Sequence, residues 1–260
     1  MHPLESAERV DVLGVGVDPL TVEELETEVR RLARGAERAV VLNVNAHCLN
    51  LAYRDASLRD YFDRADVVFC DGFGVKLAAW LLGCWIPARI TYADWMWRLA
   101  ALAAREGFSV YFLGARPGVA RRAADRLVAR YPGLVVSGAH HGYFDHRTGT
   151  PENEAIVEGI NAAVPDILVV GFGMPLQERW LMENRHRLNA KVALTGGAAF
   201  DYVAGNLRRG PRLLTDNGLE WLTRLLIEPR RLWRRYLIGN PLLLARVLRQ
   251  RFSKRHARSR

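Results

Sequence analysis

Short apolar runs rich in Val, Ile and Leu alternate with segments of helical period from residue 10 to about residue 205. A strand is expected at 10–17, and a helix from Thr21, where Glu24 three residues on completes a capping box. Further strands fall at 40–45, 67–70, 109–113, 134–137, 167–170 and 192–195. Helical patterns occupy about 46–64, 74–82, 93–105, 117–130, 152–163 and 175–187. Continuous aliphatic strands separated by helices predict an α/β fold: a doubly wound, mostly parallel sheet covered on both faces. Beyond Gly205 the strand pattern stops and only helical pattern remains. The chain is therefore read as an α/β body, 1–204, and a helical C-terminal appendage, 205–260.

Charge sharpens that division. The appendage holds 15 Lys and Arg against Asp216, Glu220 and Glu228, a net of +12, while the whole chain is +9 and the body −3. Arg230, Arg231, Arg234 and Arg235 recur at helical spacing, with Leu232, Trp233, Tyr236 and Leu237 offset by two. One short helix is thus expected to carry a basic face and an aromatic-aliphatic face. Such a helix suits a surface that is both apolar and anionic, such as a membrane interface or a lipid-linked phosphate.

The apolar runs around 78–86 and 237–248 fall short of the roughly 18–20 residues that span a bilayer, so membrane contact is expected to be peripheral. The N-terminus has no charged-then-apolar signal pattern. Cys48, Cys70 and Cys84 are odd in number and lack CxxC spacing, which reads as reduced, buried thiols of a cytoplasmic protein. Apolar helix faces such as 78–82 suit a homo-oligomer.

In an open parallel sheet, ligands bind beyond the carboxyl ends of the strands. Four strand ends carry candidate chemistry: Asn43 and Asn45, Asp71-Gly72, Gly171-Phe172-Gly173 with Gln177 and Glu178, and Gly196-Gly197 with Asp201. Asp71, directly after an apolar strand, has two readings. It is either the cap of the following helix or a carboxylate of tunable pKa that acts as general base toward a hydroxyl. Gly171-x-Gly173 before a helix resembles a phosphate turn, or is simply a tight strand–helix turn. Leu176 stands where a dinucleotide fingerprint would have its third glycine, and no Gly-Lys-Ser/Thr follows. Gln177 and Glu178 are candidates for sugar hydroxyls or for first-turn capping. Arg89 and Asp94 either bind phosphate or sugar, or pair with each other. His140 and His141 are adjacent and would point to opposite faces of a strand. With no Asp-x-Asp and no His-x-x-x-His, no obligatory metal or other cofactor is expected. Trp80, Trp85, Trp95, Trp97 and Trp180 read as core or interface residues.

Together and in this order these features resemble the bacterial WecG/TagA/CpsF glycosyltransferase family. The matching residues are Asn45, Asp71-Gly72, Arg89, the run from Val170 to Glu178, Gly196-Gly-Ala-Ala-Phe-Asp201, Ala204-Gly205, Glu220-Trp221, Arg224, Pro229, Arg231, Arg234, Arg235 and Tyr236. The chain departs from the pattern at Asn43, where many members have threonine, and at Thr223 and Gly210. The resemblance implies a Rossmann-like domain whose appendage completes the site at the inner membrane face. It also implies inverting, metal-independent transfer from a UDP-sugar to an undecaprenyl-diphosphate-linked saccharide of a cell-surface polymer. By position it makes Asp71 the base. Arg89 and Gln177 become substrate-binding residues, and Arg224, Arg231 and Arg234 become partners of diphosphate charge. Two other readings share parts of the pattern. A nicotinamide oxidoreductase would use the sheet, but it lacks the glycine fingerprint. A nucleic-acid-binding protein would use the basic tail, but it leaves the polar sheet edge without a purpose.

Overall fold

The computed structural model describes residues 8–211, 214–215 and 218–258. Its main sheet has six parallel strands in the order β4-β3-β8-β7-β5-β6: β3 (Ala39–Val44), β4 (Val67–Cys70), β5 (Ser109–Gly114), β6 (Val135–His140), β7 (Ile167–Gly171) and β8 (Val192–Thr195). The fold is α/β and Rossmann-like, as the alternation of strand and helix patterns predicts.

Strand side chains alternate between two layers. Val41, Val67, Phe69, Val110, Phe112, Val169 and Leu194 face α1 (Val22–Arg34), α5 (Tyr92–Glu106), α6 (Val119–Arg130) and α9 (Ala199–Ala204). Val40, Leu42, Val44, Val68 and Cys70 face α2 (Ala46–Ala52), α3 (Ala56–Arg64) and α4 (Phe73–Leu81). Leu113, Leu168, Val170 and Ala193 meet α7 (Pro151–Ala163) and α8 (Leu176–Asn184) on that second face. Both faces are dry, which is why these strands read as unbroken apolar runs. The capping box at α1 is present: Glu24 N–H donates to Thr21 Oγ1 at 3.2 Å, and Thr21 N–H donates to Glu24 Oε2 at 2.7 Å.

Some local expectations change. The run 10–17 is a hairpin of β1 (Val10–Val12) and β2 (Val15–Val17), because Leu13 and Gly14 take positive φ and Asp11 Oδ1 accepts from Gly14 N–H at 2.8 Å. The next residue, Asp18, bridges to β4, so the hairpin covers what would otherwise be an open sheet edge. The helical pattern of 46–64 splits into α2 and α3, because Asp55 caps a new start by accepting from Leu58 N–H. Cys48 and Cys70 are buried, whereas Cys84 is exposed; all three are free.

The appendage contains α10 (Glu220–Ile227), α11 (Pro229–Trp233), a π-helical turn (Arg234–Ile238) and α12 (Gly239–Arg258). Leu243 and Val247 of α12 are buried in the core layer formed by α2, α4 and the hairpin. Arg246 donates to the Asn50 side chain at 2.7 Å, Leu13 N–H donates to Gln250 at 3.0 Å, and Arg251 donates to Leu81 O at 2.8 Å. The last helix, α12, therefore shares the core of the body. Among the described residues, no helix is long and apolar enough to cross a membrane.

Candidate active site

The four polar or glycine-rich strand ends belong to four neighbouring strands, β4-β3-β8-β7, so the sheet lines them up on one rim. Above that rim lies a cavity of about 460 Å³. Asn43, Asn45, Asp71, Gly72, Gly173, Gly196 and Gly197 form its floor, and Arg89 and Tyr202 its sides. Glu220, Trp221, Arg224, Arg231, Arg235 and Tyr236 cover it, and Leu77, Leu243 and Leu244 supply an apolar flank from α4 and α12.

Asp71 is not a helix cap. The N-cap of α4 is Gly72, at φ +119° with no side-chain hydrogen bond, so the start of α4 opens into the cavity with its amides uncapped. The Asp71 carboxylate instead accepts from Asn43 Nδ2 at 2.8 Å. Burial pushes its pKa up to about 6. The Asn43 bond opposes that rise, Glu220 adds to it, and Arg235 and Arg89 oppose it. A carboxyl so placed titrates near neutrality, which suits a general base. Asn45 is a cap: its Oδ1 accepts from His47 and Cys48 N–H, both at 3.1 Å, while the residue still lines the cavity. His47 is neutral at physiological pH, since burial and then Arg235 lower its pKa to about 4.

Gln177 and Glu178 are buried and do not line the cavity. Gln177 Oε1 accepts from Gly173 N–H at 3.2 Å and from Gly197 N–H at 3.0 Å, clamping the turns after β7 and β8 together. Those two amides are therefore already used, which removes the phosphate-turn reading of Gly171-x-Gly173. Gly171 is itself buried, because a Cβ there would meet the Phe200 ring at 2.7 Å. Gln177 Nε2 donates to Glu178 Oε1 at 2.7 Å, and burial raises the Glu178 pKa to about 7.

Four further expectations land elsewhere. Arg89 and Asp94 do not pair with each other. Arg89 donates to Glu220 at 3.3 Å, tying body to cover, and Asp94 pairs with Arg209 on the exposed side of α5. Asp201 accepts from Asn206 at 3.2 Å, outside the cavity. Arg234 is exposed and lies over Trp233. The expected two-faced helix is also rearranged. Arg231 and Arg235 face the cavity with Tyr236, and Leu232 is buried, while Arg230, Arg234, Trp233 and Leu237 are exposed. Residues four apart share a side, so Arg231 and Arg235 take one side and Arg230 and Arg234 another. His140 and His141 do not diverge, because β6 ends at His140 and their ring centroids lie 4.2 Å apart. Among the described residues, no three His, Cys, Asp or Glu side chains are grouped to hold a metal ion.

Sequence reasoning put Arg235 on the basic face of the appendage but not in the site, and it assigned no role to Tyr202 or Thr195. Arg235 could have been found, since it follows Arg231 by one helical turn. Thr195 reads as one more β-branched strand residue. Arg224 donates to Tyr202 Oη at 2.9 Å and to Glu228 at 3.2 Å, and Arg231 reaches the same carboxylate at 2.5 Å.

A parallel sheet whose strand ends present one tunable carboxylate beneath a cover of guanidinium groups defines a Rossmann-like protein equipped for an anionic ligand. The chain belongs to the glycosyl transferase WecG/TagA/CpsF family, whose sequence profile matches residues 10–257. It is similar to an N-acetylglucosaminyldiphosphoundecaprenol N-acetyl-beta-D-mannosaminyltransferase of Staphylococcus aureus (strain MRSA252), 28% identical over 228 residues, 87% of each chain. A protein of the same name from Bacillus subtilis (strain 168) is 29% identical over 220 residues, 84% of this chain and 82% of the relative.

Proposed function

We propose that this protein transfers N-acetylmannosamine from a UDP-sugar to N-acetylglucosaminyl-diphosphoundecaprenol, with inversion, in the biosynthesis of a cell-surface polysaccharide. The acceptor and sugar are those in the names of its relatives. The observation that carries the mechanism is the Asp71 carboxylate, titrating near 6 at the cavity floor opposite three arginines. Asp71 takes the proton of an acceptor hydroxyl. The oxygen forms a bond to the anomeric carbon as the bond to the UDP β-phosphate oxygen breaks on the opposite side. A single displacement of this kind turns an α-linked donor into a β-linked product.

The departing diphosphate gathers negative charge. Arg224, Arg231 and Arg235 meet it from the cover, and the open N-terminus of α4 meets it from the floor. The reading calls for no metal, because these groups supply the positive charge. Arg230 and Arg234, exposed beside Trp233, Leu237 and Ile238, hold the cover against an anionic inner membrane surface. The test is UDP release from a panel of UDP-sugars, with and without a prenyl-diphosphate-linked N-acetylglucosamine. Acceptor-dependent release from UDP-N-acetylmannosamine is the expected result. Release from another donor alone would overturn the sugar, and release from none would overturn the reaction.

A further inference from the structure

Behind Asp71 lies a chain of hydrogen bonds that the transfer mechanism does not use. Thr195 ends β8, Asn43 lies near the end of β3, and Asp71 follows β4, so three neighbouring strands each contribute one residue. Thr195 Oγ1 accepts from the Asn43 backbone N–H at 3.2 Å and donates to Asn43 Oδ1 at 2.8 Å. Asn43 Nδ2 then donates to Asp71 Oδ2 at 2.8 Å. Thr195 and Asn43 are both buried.

The direction of the chain is forced. An ionised carboxylate can only accept, so the Asn43 NH2 faces Asp71 and the amide oxygen faces Thr195, whose hydroxyl must then donate to it. The amide, otherwise nearly symmetrical in shape, is thus held from both ends, by Asp71 at its NH2 and by Thr195 at its oxygen. Asp71 Oδ2 is thereby tied down, and among the described residues no donor reaches Oδ1. We propose that Thr195 is a positioning residue for Asp71: through Asn43 it decides which carboxylate oxygen is held and which is left to take a proton in the cavity. This rests on Asp71 being the base.

Without the Thr195 hydroxyl the Asn43 amide oxygen loses its buried donor, and only Asp71 is left to orient the amide that holds it. The bond to Asn43 favours the ionised form of Asp71, so its loss lets burial act with less opposition. The other groups acting on Asp71 are Arg89, Glu220 and Arg235, and the Cys48, Cys70 and Tyr92 side chains lie close enough to feel its charge. Thr195→Val leaves all of them in place.

The test is a titration of full-length protein carrying 13C-labelled aspartate carboxyls, with the Asp71 signal identified by its absence in Asp71→Asn. The wild-type midpoint is expected at about 6. Thr195→Val should raise it by about one pH unit, the size of a hydrogen bond to a charged group, and Thr195→Ser should restore it. The low-pH limb of turnover should move by the same amount, with the KM for the nucleotide sugar unchanged. Thr195→Ala carries the same expectation, so the proposal stays exposed even if the valine protein does not fold. An Asp71 midpoint that stays at its wild-type value in folded hydroxyl-free variants overturns it. The titration needs no substrate. Failure of the base assignment would show separately, as transfer by Asp71→Asn.

Discussion

The floor and the cover of the cavity are built on opposite plans. The groups at the centre of the floor are held by neighbours: Asn43 by Thr195, Asp71 by Asn43, and the Gly173 and Gly197 turns by Gln177. The cover is a layer of cations with few fixed partners. Arg224 and Arg231 share one carboxylate, Glu228, and the Nε of Arg235 is buried without a partner. In the proposed transfer the base must be aimed, and the rigid sheet rim would carry it. Charge that compensates a departing diphosphate needs proximity more than aim, and helices laid across the rim supply it.

Substitutions can break this contrast at graded strengths. Asp71→Asn removes the proposed base and should lower transfer about 10²- to 10⁴-fold. The same change should stabilise the fold. A carboxyl whose folded pKa is raised from 3.8 to about 6 gives stability that is lost as pH rises through 6. Replacing it should therefore gain no more than about 3 kcal/mol at neutral pH, read by denaturant unfolding. A simultaneous loss of rate and gain of stability separates a functional residue from a structural one.

On the cover, Arg231→Ala and Arg235→Ala should each slow transfer about 10²- to 10³-fold, with unchanged circular dichroism. Leu243→Ala attacks the seam between the two regions. It should cost about 2–5 kcal/mol of stability, since Leu243 is buried in the core layer shared by α2, α4 and α12. Glu178→Gln should act only on the pH dependence of stability. The Glu178 pKa is raised to about 7, so wild-type stability should fall as pH rises through 7 and the variant's should not. Asp94→Ala breaks an exposed pair with Arg209 and should change stability by less than about 1 kcal/mol and turnover not at all.

Much of the floor was legible in the sequence, because a parallel strand ends where its apolar run ends. Asp71, Gly72 and Asn45 follow such runs directly and do line the cavity. Side-chain direction was not legible. Gln177 and Glu178 begin a helix at the rim yet point inward, a choice made by the glycine turns they clamp. The cover was legible in charge but not in geometry. Even spacing of Arg230, Arg231, Arg234 and Arg235 suggested one basic face, but the two i, i+4 pairs lie on different sides, Arg231 and Arg235 lining the cavity and Arg230 and Arg234 in solvent. Thr195 gave no signal, since a hydroxyl inside a β-branched run looks like packing until its partners are seen.

The most direct test of a floor carboxylate working beneath a cationic cover is the pH dependence of acceptor-dependent UDP release by the full-length protein. The rate should fall as pH drops through about 6, the point at which Asp71 takes up a proton. Asp71→Asn should leave only residual release at every pH. A rate that does not fall through that range, or an Asp71→Asn protein that transfers at the wild-type rate, would contradict the account.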